Sequence, residues 1–225
     1  MADKGYTGRD VLVFGAAGAL GAGVAAAFAN AGASVTGVDR TVPSAERQLA
    51  GISYEAADAL DEGALAALFG GRSAPWAVIN TVGGYVPPRS LAELDAAELR
   101  RQFELNLVAA ALITKYALRA LQGAGCGRIV HTASRAALHY TGNAFAYSVS
   151  KAGVLHLVSM AADEVRGSGV TVNCVVPSII DTPANRAALP SADFDAWPKP
   201  AEIARTYVYL ASPDAGLVNG AAIPV

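Results

Sequence analysis

Cysteine, methionine and tryptophan each occur only twice, histidine three times, and charged side chains make up just 16% of the chain. An ordinary soluble domain is about 25% charged. Each shortage excludes something. Two thiols, Cys126 and Cys174, cannot build a disulfide framework or a four-thiolate zinc site, and a reducing cytoplasm is the simplest compartment for them. His131, His139 and His156 show no metal-ligand spacing, so no metal is expected. Basic residues are not in excess: 17 Lys and Arg against 19 Asp and Glu leave −2. That argues against a nucleic-acid partner, which would call for a basic stripe. No Pro- or Ser-rich linker divides the chain and no repeat is visible, so residues 1–225 read as one domain. Scarce charge beside 53% hydrophobic residues excludes disorder and fits a sheet covered on both faces. A chain of this size buries about 70% of its extended surface and needs no cross-links.

Residues 11–38 carry no charge, a length that could span a bilayer. The run is nevertheless broken by six glycines and one Asn. It reads as a strand, a glycine turn and a helix within a soluble core, so no membrane partner is expected. The first nine residues are polar and lack the apolar core of a signal peptide.

Apolar β-rich runs alternate with helical stretches. The strands expected are 11–14, 34–38, 52–55, 77–80, 128–132 and 171–176, with a weaker one at 222–225. Helices are expected near 19–31, 61–69, 95–121, 145–166 and 200–211. Such alternation implies right-handed crossovers and a parallel sheet. The strands are continuously apolar, so helices should cover both faces. The expected fold class is α/β: one doubly wound Rossmann domain with a parallel seven-stranded sheet. Its ligand should sit beyond the C-terminal ends of the strands.

Gly15, Gly18 and Gly21 follow the first strand and lead into a helix. Glycine lets a pyrophosphate approach the backbone, and the N–H groups of a helix start face the anion. Ala17, Ala19 and Leu20 belong to the same turn. The spacing G-x-x-G-x-x-G differs from the dinucleotide pattern G-x-G-x-x-G. Asp39 ends the second strand, 18 residues after Gly21, where a carboxylate can accept bonds from an adenosine ribose. It would repel a 2′-phosphate and so favours NAD over NADP. Arg40, immediately next, could instead accept that phosphate.

Tyr147 and Lys151 are spaced i, i+4 and share a helix face. A phenol near pKa 10 is a poor acid–base group at neutral pH, and a nearby ammonium lowers that value. Most such pairs are surface contacts, so spacing alone is weak. Ser134 follows the strand at 128–132. Asn106 is a polar residue inside an apolar helical stretch and needs a partner. Taken singly, these two read as a turn serine and a buried structural asparagine. His131 in its apolar strand reads as a packed histidine, and Cys174 as a buried core thiol.

These residues together resemble the short-chain dehydrogenase/reductase family over essentially the whole chain. The resemblance rests on the glycine turn, Asp39, Asp58, the stretch Asn80-Thr81-Val82-Gly83-Gly84, then Asn106, Ser134, Tyr147-x-x-x-Lys151 and the segment Pro177–Thr182. It implies an NAD(P)-dependent oxidoreductase moving hydride between nicotinamide and a small carbonyl/alcohol substrate. By the same resemblance, Tyr147 is the acid/base, Lys151 lowers its pKa and holds the nicotinamide ribose, Ser134 bonds the substrate oxygen, and Asn106 organises a relay water. Asp58 and Ala59 would contact adenine. Asn80, Thr81 and Gly83 would line the adenosine side, and Pro177, Ile180 and Thr182 the nicotinamide side, with Thr182 on its carboxamide. The family's helices at 95–121 and 145–166 imply a homodimer or homotetramer.

The turn departs from the family's T-G-x-x-x-G-x-G: Phe14 replaces Thr, and Ala19 takes the middle glycine place. The shift resembles the dihydropteridine reductase branch, as do Asp181-Thr182-Pro183-Ala184-Asn185-Arg186, Pro190 and Trp197. That branch lacks the catalytic Ser, which is present here as Ser134. A quinonoid dihydropteridine reductase is therefore the alternative, and a non-catalytic NAD-binding sensor the second. Tyr85, Arg135, His139, Tyr140, Asn143 and residues 179–197 are expected to shape the substrate pocket.

Overall fold

A computed structural model describes residues 5–86, 90–139 and 144–225. Seven parallel strands stand in the order β3-β2-β1-β4-β5-β6-β7. They are β1 Asp10–Phe14, β2 Ser34–Asp39, β3 Ile52–Ala56, β4 Ala77–Asn80, β5 Gly127–Thr132, β6 Val170–Val176 and β7 Ala222–Pro224. The expected strands are all present, with ends differing by at most one residue. β4, β5 and β6 are buried along their whole length. This is why their sequences show no in–out alternation.

Helices α1 Ala19–Asn30 and α7 Pro200–Leu210 cover one face of the sheet. The other face is covered by α2 Glu62–Gly70, α4 Ala109–Ala124 and α5 Phe145–Glu164. Short caps set several ends. Asp61 accepts the N–H groups of Gly63 (2.8 Å) and Ala64 (3.1 Å) at the start of α2. Gly125, at φ +70°, ends α4 in the left-handed conformation that glycine adopts without steric cost.

Two helical features differ from the sequence expectation. The helix expected over 95–121 is three pieces: α3 Ala96–Phe103, a π-helical turn Glu104–Val108, and α4. A π turn inserts one extra residue and re-aims the side chains around it. Asn106 sits in that turn. A further short helix, α6 Pro183–Ala188, follows β6 and starts on a Thr182 cap.

The order of the chain reverses between β1 and β4: β1 is flanked by β2 on one side and β4 on the other. In a doubly wound sheet, this switch point is where a crevice opens beyond the strand ends. Among the described residues, no helix is long and apolar enough to cross a membrane, and no acid–His–Cys group could hold a metal. His131 and Cys174 are fully buried, and Cys126 is exposed.

Candidate active site

The glycine turn is held at the tip of β2. Gly15 donates to the Val38 carbonyl (2.8 Å) and has φ +81°. A Cβ on Gly21 would lie 2.0 Å from the Gly15 carbonyl oxygen. Glycine is thus required for the start of α1 to close on the turn. Gly18 caps α1 without a side-chain bond, and the first turn, which includes Ala19, Leu20 and Gly21, holds no acidic residue. The leading N–H groups of a helix have no intrahelical partner and attract anions. An uncapped glycine turn of this kind suits a pyrophosphate.

A cleft of about 240 Å³ opens beside it. It gathers Gly15 and Gly18 from the turn, Asp39 and Arg40 from the end of β2 and just beyond it, Asp58 and Ala59 after β3, and Thr81 and Gly83 after β4. Asp39 accepts the N–H groups of Ala17 (3.0 Å) and Arg40 (2.9 Å), one on each oxygen. Each oxygen keeps a second lone pair for a ribose hydroxyl. Arg47, not singled out by the sequence, donates to the Ala17 carbonyl (2.9 Å) from the β2–β3 connection. Asp58 holds its own turn by accepting the Leu60 N–H (2.9 Å). Thr81 ties the loop back to β1 through the Phe14 carbonyl (2.7 Å). Asn80 does not line the cleft with its side chain. It is 3% exposed and turned into the sheet, where it accepts the Val82 N–H and meets His131.

A second group lies around the beginning of α5. The Ser134 hydroxyl neighbours the Tyr147 phenol and acts on it to lower its pKa, while its Oγ accepts the Ala136 N–H (3.2 Å). Tyr85 stands edge-on to the Tyr147 ring at 5.1 Å. Lys151 is buried, and its ammonium donates to the Thr132 carbonyl (2.9 Å). A Cβ on Gly83 would stand 2.8 Å from both the Lys151 Nζ and the Asn106 Oδ1. The loop after β4, the π turn and α5 therefore converge at Gly83, where glycine leaves room.

The Asn106 side chain is a strut. Its Oδ1 accepts the Gly84 N–H (2.9 Å), and its Nδ2 faces Gly84 O (3.1 Å), Gln102 (3.1 Å) and Ser150 (3.0 Å). Ser150 in turn donates to the Tyr147 carbonyl (2.7 Å). The π turn thereby fixes the first turn of α5 relative to the loop after β4.

Burial pushes the Lys151 pKa down to about 8. Burial also raises the Tyr147 pKa, partly offset by the Ser134 bond. Tyr85, beside the ring, adds to the rise.

The connection from β6 to α6 carries the remaining expected residues. Pro177 accepts the Arg135 N–H (3.0 Å), and Ile180 accepts the Asn185 side-chain amide (2.8 Å). Thr182 Oγ1 accepts the Asn185 N–H (3.2 Å), leaving its own proton free to be donated. Asp181 grips Arg186 through both oxygens (2.6 and 2.9 Å), and the guanidinium lies 4.8 Å over Phe194. This clasp was not legible in the sequence. Arg135 and His139 are exposed; Tyr140 and Asn143 lie outside the described residues.

A family model described as enoyl-(acyl carrier protein) reductase matches residues 15–225. The cis-4-hydroxycyclohexanecarboxylate dehydrogenase of Sinomonas cyclohexanicum is 34% identical, with 99% of this chain and 96% of that protein covered. A short-chain type dehydrogenase/reductase structure from Mycobacterium ulcerans superposes with TM-score 0.91 at 29% identity, over 98% of this chain and 89% of that one. A structure from Beutenbergia cavernae, assigned as an NAD(P)-dependent gluconate 5-dehydrogenase and holding NADP at low occupancy, gives 0.90 at 26% over 99% and 97%. The chain belongs to the short-chain dehydrogenase/reductase family and is an NAD(P)-dependent oxidoreductase acting on a small carbonyl/alcohol substrate.

Proposed function

We propose that the chain is an NAD-preferring alcohol dehydrogenase/ketone reductase, with residues 1–225 acting as one cofactor-binding and catalytic domain. The observation that carries this reading is the Ser134–Tyr147 hydroxyl pair beside the buried Lys151. The cofactor, when bound, supplies or removes a hydride; the protein supplies placement and the proton. Ser134 holds the substrate oxygen. Tyr147 gives that oxygen a proton in reduction and takes it in oxidation. Lys151 would hold the nicotinamide ribose, and Asn106 keeps α5 and the loop at Gly83 in register for a relay water. Thr182 donates its free hydroxyl proton to the carboxamide, with Pro177 and Ile180 forming the wall beside it. Asp58 and Ala59 border the adenine.

Asp39 supports NAD. A 2′-phosphate beside its carboxylate meets a repulsion of up to about 4 kcal/mol per charge at ~4 Å before screening. Arg40 and Arg47 pull the other way, and Arg47 is already bonded to Ala17. NADH should therefore bind more tightly than NADPH in fluorescence titrations, and Asp39→Ala should shrink the difference. Tighter NADPH binding would reverse this part of the proposal.

The substrate is proposed to be a small cyclic or open-chain hydroxy compound. The hydroxycyclohexanecarboxylate relative favours an acid, and Arg135 directly after Ser134 supplies a cation for it. The second reading, quinonoid dihydropteridine reduction, rests on the Asp181-to-Arg186 motif. A single screen decides between them: hydroxycyclohexanecarboxylates, simple alcohols, their ketones and a quinonoid dihydropteridine, each with NAD or NADH. Turnover confined to the pterin selects the second reading. Cofactor binding with no turnover of any substrate selects the sensor.

The same proposal extends to a cytoplasmic homodimer or homotetramer. Val149 and Met160 are 37% and 62% exposed on α5, and Val108 is 40% exposed in the π turn that leads into α4. Apolar surface of that kind marks an interface. Light scattering at micromolar concentration should give at least twice the monomer mass; a monomer would exclude the assembly.

A further inference from the structure

His131 is wholly buried in β5, yet both of its ring nitrogens are engaged. On one side stands Thr114 of α4, with its Oγ1 2.9 Å from Nε2. That hydroxyl donates its single hydrogen to the Ala110 carbonyl (2.7 Å). Toward the imidazole it can therefore only accept, so the ring proton resides on Nε2. Nδ1 is then a bare acceptor, and the Asn80 Nδ2 stands 3.1 Å from it.

This settles the orientation of the Asn80 amide. With its NH2 end directed at His131, its Oδ1 accepts the Val82 N–H (2.9 Å). The Asn80 carbonyl accepts from Thr132 Oγ1 (2.7 Å), whose oxygen is then left to accept from Tyr207 (2.7 Å). Thr132 is also the residue whose carbonyl holds Lys151. The loop that follows β4 is thus anchored at its first residue through His131 and at Gly84 through Asn106. Gly83 lies between the anchors, facing both the cleft and Lys151.

We infer that His131 is a positioning residue: its unprotonated Nδ1 orients Asn80 and so sets the path of the loop from Asn80 to Gly84 along the cofactor cleft. The inference rests on the reading that a nicotinamide cofactor lies on this loop. Burial, with Lys151 nearby, holds the imidazole pKa down to about 4, so the acceptor persists at neutral pH. Without it, a buried amide NH2 loses its partner, a costly state that drives the side chain to turn. A turned amide would direct NH2 at the Val82 N–H, donor against donor.

Two amide substitutions separate this role from simple packing. The Oδ1 of Asn occupies the place of Nδ1, whereas Gln supplies polar atoms only at the place of Nε2. His131→Asn should keep NADH affinity within about threefold of the native chain. His131→Gln and His131→Leu should weaken it at least tenfold, with each melting curve recorded to check the fold. A packing role predicts the reverse order for the amides, because Gln is nearer to His in volume. Gln binding as well as Asn, or every variant binding like the native chain, would overturn the inference.

A long-range ¹H–¹⁵N spectrum of the native protein tests it without cofactor, the His131 signals being assigned by their loss in His131→Asn. A neutral ring with its proton on Nε2 is expected between pH 5 and pH 8. The Nδ1–H tautomer, or a protonated ring, would overturn the inference whatever the variants do. If the native chain binds neither NADH nor NADPH, the cofactor reading fails, and the spectrum still decides the Asn80–His131 geometry.

Discussion

Tyr147→Phe should bind NADH as the native chain does and lose about 10²- to 10⁴-fold in turnover. The substitution removes one hydroxyl, the group that meets Ser134 and would meet the substrate oxygen. Nothing else in the first turn of α5 depends on it: Ser150 bonds the Tyr147 backbone carbonyl, and Tyr85 packs on the ring. The loss corresponds to about 3–5.5 kcal/mol of barrier. Stopped-flow binding and steady-state turnover on the substrate found by the screen separate the two quantities. Full activity in Tyr147→Phe would show that the proton comes from elsewhere.

The phenol's pKa gives this prediction a pH dimension. Burial holds it up in the unliganded chain, so its ionised form becomes available only when positive charge arrives near it. Lys151 sits at about 8 because burial disfavours its ammonium. A bound anionic cofactor with ribose oxygens near Nζ favours the protonated amine. NADH affinity should accordingly be flat below pH 8 and fall as pH rises through that value, by up to about tenfold per unit. Stability of the free chain runs the other way. The unfolded lysine binds its proton up to about 10.4, so between pH 8 and that value the folded state gains as pH rises. Lys151→Met should abolish both slopes. An unchanged pH profile in that variant would remove Lys151 from the cofactor site.

The sheet was legible because parallel strands covered on both faces are rich in apolar residues: Val11–Phe14 and Ala77–Ile79 are continuously apolar, and β5 and β6 keep Ile129–Val130 and Cys174–Val176 between a few buried polar residues. The glycine turn and the Tyr147–Lys151 pair were legible because they are local, three or four residues apart. What escaped the sequence was of three kinds. The π turn at Glu104–Val108 contains no breaker residue, so the stretch reads as one unbroken helix. The six residues of α6 are too few to show a period, and its start rests on a short local signal, the Thr182 cap followed by Pro183. Asn80 and His131 are 51 positions apart, and nothing in either neighbourhood announces that one orients the other. A buried histidine in a strand looks the same in sequence whether it packs or positions; only its two partners distinguish the cases. Arg47 was missed for the same reason, since it reaches Ala17 across 30 positions from an irregular connection.

Gly21→Ala and Gly123→Ala place the same methyl in two helices and should have opposite effects. At Gly123, near the end of α4, an added Cβ meets nothing within 4 Å. There the change removes backbone freedom from the unfolded chain and should stabilise by up to about 1 kcal/mol. At Gly21 the methyl would stand 2.0 Å from the Gly15 oxygen, 2.7 Å from the Gly15 carbon and 2.7 Å from Thr81 Oγ1. Two of these are backbone atoms that cannot rotate away. Gly15 cannot retreat easily either: its N–H is bonded to Val38, and its φ of +81° suits the turn alone. The start of α1 must therefore lift off the loop, at a cost of about 1–3 kcal/mol or more for overpacking. In a protein of this size each kcal/mol moves the melting temperature by about 2–4 °C, so Gly21→Ala should melt roughly 2–12 °C lower and Gly123→Ala slightly higher. Lifting α1 also withdraws the N–H groups that face the cleft. NADH affinity should fall with Gly21→Ala and stay unchanged with Gly123→Ala. A Gly21→Ala protein that melts lower yet binds NADH normally would mean that the pyrophosphate does not rest on this helix start.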